Sequence, residues 1–197
     1  MKLDIILSGV GGQGILSIAA IIGEAALKEG LHIKQAEVHG MSQRGGDVQS
    51  NLRIASDPIQ SDLISQGGAD VILSLEPMEA LRYIPFLSAQ GWVVTNTAPF
   101  VNVPNYPEME KIIADLNALP HVILLDVDAL AKENRIPRAA NMILLGAATP
   151  ILGLDFDQIA EAVHRVFKHK GEAIVNMNIK ALTCGKEAAE QIMNSKK

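Results

Sequence analysis

Six residues near the N-terminus constrain the fold of this chain more than any others. The segment Gly9-Val10-Gly11-Gly12-Gln13-Gly14 follows a short apolar run at residues 3–8 and precedes an apolar run at residues 15–28. Glycine allows a tight turn and close packing of a helix on a strand, so this order predicts a buried strand, a turn and a helix. Residues 32–38 are typical of a second strand, which completes a predicted βαβ unit with parallel strands and a right-handed crossover.

Downstream of this unit, strand patterns alternate with helical patterns before the chain becomes helical. Residues 48–55 alternate apolar and polar side chains, which indicates a strand with one wet face. Buried strands are predicted at residues 71–75, 92–95 and 122–126, and helices at residues 79–86, 108–118, 129–134, 139–152, 158–167 and 172–193. We therefore predict an α/β fold, a Rossmann-like parallel sheet flanked by helices, in a single domain of residues 1–197. In this prediction residues 1–128 form the sheet core and residues 129–197 a helical extension.

Composition and charge exclude several classes of protein. The chain has 197 residues and a net charge of −5, and aromatic residues make up 4% of it. Nucleic-acid binding draws on clustered Lys and Arg or on aromatic stacking platforms, so we expect no nucleic-acid partner. The uncharged run at residues 5–23 is interrupted by glycines, and the one at residues 139–154 is short and broken by Asn141 and Pro150. We expect no membrane segment, and a soluble, cytoplasmic protein.

The chain has a single cysteine, Cys184. An intramolecular disulfide is therefore impossible, which suits a reducing compartment. An iron–sulfur cluster normally takes four cysteine ligands, so this chain alone cannot hold one. Cys184 falls within a predicted amphipathic helix, where a buried and inert thiol is the expected role.

The first glycine segment also carries a ligand-binding prediction. It fits the G-x-G-x-x-G pattern, in which main-chain N–H groups and the positive end of a helix dipole can face a phosphate. Glu37 stands at the end of the second predicted strand, where dinucleotide enzymes keep an acid that binds the ribose. The pattern leaves two interpretations open, a site for a phosphate-bearing ligand and a turn in which glycine only permits close packing. The candidate cofactor-binding residues are Gly9, Gly11, Gly12, Gln13 and Gly14.

A second unusual segment follows the second predicted strand. The residues His39-Gly40-Met41-Ser42-Gln43-Arg44-Gly45-Gly46 have neither helical nor strand periodicity. They lie at the carboxyl end of a parallel strand, which is the edge where open α/β sheets bind ligands. The guanidinium of Arg44 can clamp a carboxylate or phosphate, and the two glycines let another backbone approach. The residues predicted to contact a ligand or a partner subunit are Glu37, His39, Met41, Gln43, Arg44, Gly45 and Gly46.

The sequence shows no self-sufficient catalytic constellation. No Asp or Glu stands at a spacing that identifies an orienting partner for His39, and the other histidines lack the spacing of metal ligands. A G-x-S-x-G nucleophile elbow and a Walker lysine are also missing. We therefore predict neither a catalytic residue nor a metal site in this chain. The apolar segment at residues 141–147 indicates a core helix, with docking on a partner subunit as the alternative.

Four segments together resemble one known family. They are Gly9-Val10-Gly11-Gly12-Gln13-Gly14-Ile15, Glu37-Val38-His39-Gly40-Met41-Ser42-Gln43-Arg44-Gly45-Gly46, Glu76-Pro77-Met78-Glu79-Ala80-Leu81-Arg82 and Asn141-Met142-Ile143-Leu144-Leu145-Gly146. These residues resemble the gamma-type domain of 2-oxoacid:ferredoxin oxidoreductases, and most closely the beta subunit of the indolepyruvate:ferredoxin oxidoreductases. The resemblance covers nearly the whole chain, and its second segment is the most specific.

The resemblance implies a subunit of a heteromeric enzyme that is inactive as an isolated chain. In that family a large (alpha) partner subunit binds thiamine diphosphate with Mg and carries iron–sulfur clusters. The 2-oxoacid is decarboxylated there, electrons leave to ferredoxin, and the acyl group passes to coenzyme A. This chain would then bind no cofactor tightly, and its glycine loop would be a coenzyme A phosphate site or a packing surface. The implied 2-oxoacid is indolepyruvate or another arylpyruvate.

Two other functions stay open on the residues alone. One is a free-standing NAD(P)-binding Rossmann dehydrogenase, which the glycine pattern and Glu37 motivate. The other is a purely structural interaction module, which the apolar C-terminal helices motivate.

Overall fold

The computed structural model describes residues 1–40, 45–136 and 139–195 of the chain. The six strands of this part form one sheet in the order β2-β3-β1-β4-β5-β6. The strands are β1 (Lys2–Val10), β2 (His32–His39), β3 (Asp47–Ala55), β4 (Ala69–Ser74), β5 (Leu87–Asn96) and β6 (Val122–Leu125). The helices are α1 (Ile15–Lys28), α2 (Pro77–Arg82), α3 (Met109–Asn117), α4 (Val127–Glu133), α5 (Ala140–Leu152), α6 (Phe156–Phe167) and α7 (Glu172–Ser195).

The predicted α/β class is confirmed, and each predicted strand and helix overlaps an element of the structure. The main difference in an element lies at residues 79–86, predicted as one helix. In the structure α2 ends at Arg82, and a separate 3₁₀ turn follows at Ile84–Phe86. Proline has no N–H to donate and disfavours a helical residue before it, so Pro85 breaks the helix here.

One strand departs from the predicted parallel order. β3 pairs antiparallel with both β1 and β2, and Leu52 lies opposite Ile5 on one side and Gln35 on the other. The pairs β1–β4, β4–β5 and β5–β6 are parallel. The two strands of the predicted βαβ unit are therefore parallel to each other, but they are not neighbours because β3 lies between them. Alternation along residues 48–55 fits a strand of either direction, so the sequence pattern could not show this insertion.

Helices cover both faces of the sheet. Successive side chains of a strand point to opposite faces, so β1 places Ile5 on one face and Ile6 on the other. On the first face, α1, α5, α6 and α7 pack in one core with Ile5 and Leu52. On the second face, α2 and α3 pack around Ile6, Ile72 and Val93. The helices that follow β6 thus complete the layer to which α1 belongs.

The helices α5 and α7 cross with their main chains in direct contact. A Cβ atom on Gly146 would lie 1.9 Å from the carbonyl oxygen of Leu182, and one on Gly185 would lie 1.8 Å from the carbonyl oxygen of Ile143. Only glycine fits at these two positions. This crossing fixes α5 in the core and so fixes the start of α5 beside the first glycine loop.

The segment predicted as a core helix is buried along most of its length. Nine of the thirteen residues of α5 are buried, and the other four lie near its ends, where only Pro150 is exposed. Apolar burial of this kind belongs to a helix enclosed by protein. In the described ranges, none of the helices combines the length and apolar character needed to cross a bilayer.

Candidate functional site

The two glycine-rich loops are joined main chain to main chain at the carboxyl end of β1. The N–H of Gly11 donates to the carbonyl oxygen of Gly46 at 2.8 Å, and the N–H of Gly45 donates to the carbonyl oxygen of Gly11 at 3.3 Å. These bonds continue the ladder of β1 and β3, in which Val10 lies opposite Asp47. The two segments that the sequence singled out are therefore parts of one structure.

Gln13 fastens the first loop to the neighbouring strand. Its side-chain oxygen accepts a hydrogen bond from the N–H of Val10 at 2.7 Å, and its amide nitrogen donates to the carbonyl oxygen of Leu75 at 3.2 Å. Gly9 lies beneath this side chain, since a Cβ atom there would be 2.7 Å from Oε1 of Gln13. These contacts give Gln13 and Gly9, both predicted to bind a cofactor, a role in shaping the loop.

Gly14 ends the first loop and begins α1 with a left-handed backbone, at φ 94°. The amide nitrogen of Asn141 donates to the carbonyl oxygen of Gly14 at 3.4 Å. A Cβ atom on Gly14 would lie only 2.5 Å from the same nitrogen. Analysis of the sequence placed Asn141 in a core helix and missed this contact, although Asn141 opens one of the four family-like segments.

The first turn of α1 lines a pocket at this edge of the sheet. Among the described residues no side chain caps α1. The first N–H groups of a helix have no partner within it and form the positive end of the helix dipole, so they favour an anion. The pocket has a volume of about 510 Å³, within the range of small-molecule sites. Its lining includes Val10, Gly11, Gly12, Gly14, Ile15, Leu16, Glu37, His39 and Val48.

The side chains of Glu37 and His39 form the pocket wall on β2. Glu37 lies opposite Ser50 and His39 opposite Val48 in the ladder, so both side chains point to the face that α1 covers. Both are exposed to solvent. A carboxylate accepts hydrogen bonds from hydroxyl or amino groups and repels a phosphate. The pocket therefore has one end, at the start of α1, that is suited to an anionic group of a ligand. Its wall on β2 is suited to a neutral hydrogen-bond donor of the ligand.

Glu37 does not occupy the position of the ribose-binding acid of a dinucleotide enzyme. In that fold the strand bearing the acid is the neighbour of the strand that precedes the glycine loop. Here β3 separates β2 from β1. Strand spacing is about 4.8 Å, so the acid is displaced by roughly that distance. The glycine pattern alone is therefore a poor guide to a nicotinamide cofactor in this chain.

A buried carboxylate holds a third loop at the same edge. Glu76 is fully buried, and it caps α2 by accepting a hydrogen bond from the N–H of Glu79 at 2.8 Å. Its other oxygen accepts from the N–H of Phe100 at 3.3 Å and from the hydroxyl of Tyr106. Burial, followed by the hydrogen bond to Glu76, raises the pKa of Tyr106, so its hydroxyl stays protonated and donates. The loop of residues 97–107 is thereby tied to the start of α2.

The third loop also contacts the second. The side-chain nitrogen of Asn102 donates to the carbonyl oxygen of Gly45 at 2.8 Å. Sequence reasoning missed Asn102 and Tyr106, because a proline-rich loop offers no periodic signal. It included Glu76 only as part of a family-like segment, without a role.

The structure brings together some of the predicted site residues. Gly11, Gly12, Gly14, Glu37 and His39 line one pocket. Gly45 and Gly46 are bonded to Gly11, one of the residues that line it. The predicted contacts of Met41, Gln43 and Arg44 lie outside the described residues.

Two further features concern metal and thiol chemistry. Within the part of the chain that the structure describes, no group of three or more His, Cys, Asp or Glu side chains is placed to hold a metal ion.

Sγ of Cys184 lies 3.2 Å from the amide nitrogen of Asn134. Burial raises the pKa of the Cys184 thiol. The reactive form of cysteine is the thiolate, so this shift disfavours the reactive form of the thiol, although Cys184 is half-buried rather than buried as expected.

Comparison with protein families and curated sequences gives matches along nearly the whole chain. The sequence profile of the family described as pyruvate ferredoxin/flavodoxin oxidoreductase matches residues 4–188. The indolepyruvate oxidoreductase subunit IorB of Archaeoglobus fulgidus is 38% identical over 194 residues, which cover 94% of each chain. The IorB subunit of Pyrococcus horikoshii is 37% identical over an alignment of 203 positions, gaps included, which covers 98% of each chain. The ketoisovalerate oxidoreductase subunit VorA of Methanothermobacter marburgensis is 28% identical over 94% of this chain, which spans only 36% of VorA.

Solved structures share the fold. The gamma subunit of a keto/oxoacid ferredoxin oxidoreductase from Geobacter sulfurreducens superposes with a TM-score of 0.71 at 24% identity, covering 96% of this chain and 99% of that one. The 2-oxoglutarate:ferredoxin oxidoreductase of Magnetococcus marinus superposes with a TM-score of 0.75 at 21% identity. That structure has 2-oxoglutarate, coenzyme A and succinyl-CoA bound, and the present chain covers 31% of its length.

Proposed function

The chain belongs to the pyruvate ferredoxin/flavodoxin oxidoreductase family, and on that premise we propose that it is the small subunit of an oxidoreductase acting on indolepyruvate or another aryl 2-oxoacid. The observation that carries this proposal is the end-to-end similarity to four IorB subunits, at 32–38% identity. Relatives named for ketoisovalerate or 2-oxoglutarate are only 24–28% identical. The aryl substrate is therefore the best supported.

The proposed reaction joins a 2-oxoacid, coenzyme A and two oxidised ferredoxins. It yields an acyl-CoA, CO₂, a proton and two reduced ferredoxins, so the two electrons lost by the substrate are both accounted for. Thiamine diphosphate with its Mg and the iron–sulfur clusters belong to the large (alpha) partner subunit, which passes electrons to ferredoxin. This division agrees with a small subunit whose only cysteine is Cys184.

The role of the small subunit in this proposal is to bind part of coenzyme A. The uncapped start of α1, with Gly11, Gly12 and Gly14, would hold a phosphate of the coenzyme. Glu37 would accept a hydrogen bond from a hydroxyl or amino group of the same ligand. The ligand then lies with its negative charge toward the helix and its neutral donors toward β2. Coenzyme A supplies the thiol that receives the acyl group.

The two alternative functions have weaker support. A nicotinamide site would place an acid on the strand adjacent to β1, whereas Glu37 is displaced by the insertion of β3. A purely structural module would have no need of an uncapped helix beside a 510 Å³ pocket. Neither alternative accounts for the end-to-end similarity to IorB.

The proposal is tested by co-expressing the chain with the large-subunit candidate of the same genome. The purified complex is assayed anaerobically for coenzyme A-dependent viologen reduction with indolepyruvate, phenylpyruvate, pyruvate and 2-oxoglutarate. We expect the two aryl substrates to give kcat/KM values at least about 10-fold above the two aliphatic ones, which corresponds to about 1.4 kcal/mol. A preference for pyruvate or 2-oxoglutarate would overturn the substrate assignment and leave the family intact.

A further inference from the structure

The carboxyl end of the sheet exposes several apolar side chains. Eight large hydrophobic residues are exposed among those that the structure describes, and five of them are at this end. One of the five, Val38, points to the face opposite that of Glu37 and His39, away from α1. The other four, with exposed fractions of 37–66%, are Leu16, Phe100, Val101 and Val103, and we call them the apolar rim. Leu16 lines the pocket, and the other three lie on the loop that contacts Gly45.

We infer that the apolar rim is the surface on which the large subunit docks, an inference that rests on the proposed function. The loop of residues 97–107 contains no charged residue, although 20% of the chain is charged. The first glycine loop and the start of α1 are also uncharged as far as Gly23. Centres of stable interfaces are depleted in charge and enriched in apolar and aromatic side chains. A transient electron acceptor steered by charge would require the opposite composition.

The rim is held in shape before any partner arrives. The buried carboxylate of Glu76 accepts hydrogen bonds from Phe100 and Tyr106, and Asn102 is bonded to the second loop. These bonds keep the loop from folding its apolar side chains into the core. Ordering a loop on binding costs free energy, so a preformed loop increases affinity. The same bonds tie the loop that carries Phe100 and Val101 to the start of α2 and to the second glycine loop.

Longer relatives indicate that the occupant is a different polypeptide rather than a second copy of this chain. The chain spans 36% of each VorA sequence and 31% of the Magnetococcus marinus chain. In those proteins the equivalent domain shares one polypeptide with sequence that this chain lacks, which is the kind of partner we infer here. A large subunit on the rim would also cover the adjoining pocket, and a ligand held by α1 would then face that subunit.

The inference is tested by one substitution in the rim and a matched one outside it. Val101 is 66% exposed in the rim, and Leu27 is 60% exposed on the last turns of α1, at the other end of that helix. Each is replaced by lysine, as Val101→Lys and Leu27→Lys, in the full-length chain. Folding is checked by the thermal midpoint, and binding of the co-expressed and separately purified large subunit by calorimetry. We expect Val101→Lys to weaken binding at least about 10-fold and Leu27→Lys to leave it within about 2-fold.

The outcomes distinguish failure of the proposed docking surface from failure of the proposed function. If the wild-type chain forms a stable complex and Val101→Lys binds the large subunit as tightly, the rim is not the docking surface. The proposed function would still stand. Failure of the wild-type chain to bind the large subunit would overturn the proposed function and the surface with it. The wild-type chain could instead self-associate, with Val101→Lys making it a monomer that still binds the large subunit. That result would assign the rim to a second copy of this chain and also contradict the inference.

Discussion

Gly11 and Gly46, which lie 35 positions apart in the sequence, are joined by a main-chain hydrogen bond of 2.8 Å. The bond merges two loops that could each have been an ordinary surface turn. Together they border a pocket at the start of α1, and Asn102 adds a third loop to the same edge. The candidate site is therefore a meeting of three loops at the carboxyl end of the sheet, as expected for open α/β folds.

Substitution of Gly12 should block the pocket. A Cβ atom on Gly12 meets no atom within 4 Å, so a valine side chain at this position would enter open space beside the pocket. Gly67→Val is the matched control, because Gly67 also has a positive φ and open surroundings but lies outside the pocket. Backbone strain of about 1–2 kcal/mol should be common to both variants. We expect only Gly12→Val to raise the KM for coenzyme A in the complex, by at least about 10-fold, and an equal effect of the two variants would contradict a ligand site here.

A side chain at either glycine of the α5–α7 crossing, Gly146 or Gly185, should destabilise the fold. Gly146→Ala places a Cβ atom 1.9 Å from the carbonyl oxygen of Leu182, so the two helices must separate. We expect a loss of about 3 kcal/mol or more in the free energy of unfolding, measured by urea denaturation. The control is Gly23→Ala in α1, where the nearest atom to the new Cβ is a side-chain carbon of Ile33 at 3.7 Å. That variant should gain about 0.5–1 kcal/mol from helix propensity, and equal effects at the two sites would refute the close crossing.

The hydrogen bond between Glu76 and Tyr106 should contribute more to the free energy of unfolding than a hydrogen bond on the surface does. Tyr106→Phe removes a donor to a buried carboxylate, so we expect a loss of about 2 kcal/mol in the free energy of unfolding. Glu76→Gln brings an NH₂ group toward two N–H donors and a hydroxyl, so it should cost more. A double-mutant cycle between the two positions should give a coupling energy of about 1 kcal/mol or more. A coupling near zero would show that the loop is held by other contacts.

Asp4 should contribute stability that is lost in acid. Burial alone would raise the pKa of Asp4, but its hydrogen bonds with Arg53 and Lys2 and their charges outweigh burial and lower the pKa below 3.8. The native state then binds fewer protons at this group than the unfolded state, so its contribution is full above about pH 4 and falls as the pH drops through the native pKa. The difference in unfolding free energy between wild type and Asp4→Asn, followed from pH 7 to pH 2, should shrink. A difference independent of pH would contradict the prediction.

Local patterns predicted the secondary structure well, because apolar periodicity and the glycine turn act within a few residues. The same reasoning missed the insertion of β3 between β1 and β2, since strand order depends on contacts between distant segments. Sequence patterns also gave no signal for Asn102 and Tyr106, because only the folded loop brings them to Gly45 and Glu76. Glu37 and His39 were identified from their place at a strand end, and the structure puts both on the pocket wall.

We expect this chain to work only as part of a larger enzyme. The direct measurement is anaerobic viologen reduction with indolepyruvate and coenzyme A by three samples: the isolated chain, the isolated large subunit and the reconstituted complex. We predict turnover by the complex and less than about 1% of that rate from the isolated chain, since its single cysteine cannot ligate a cluster. Oxidation of indolepyruvate by the isolated chain at a rate comparable to that of the complex would show that the chain does not need a partner subunit.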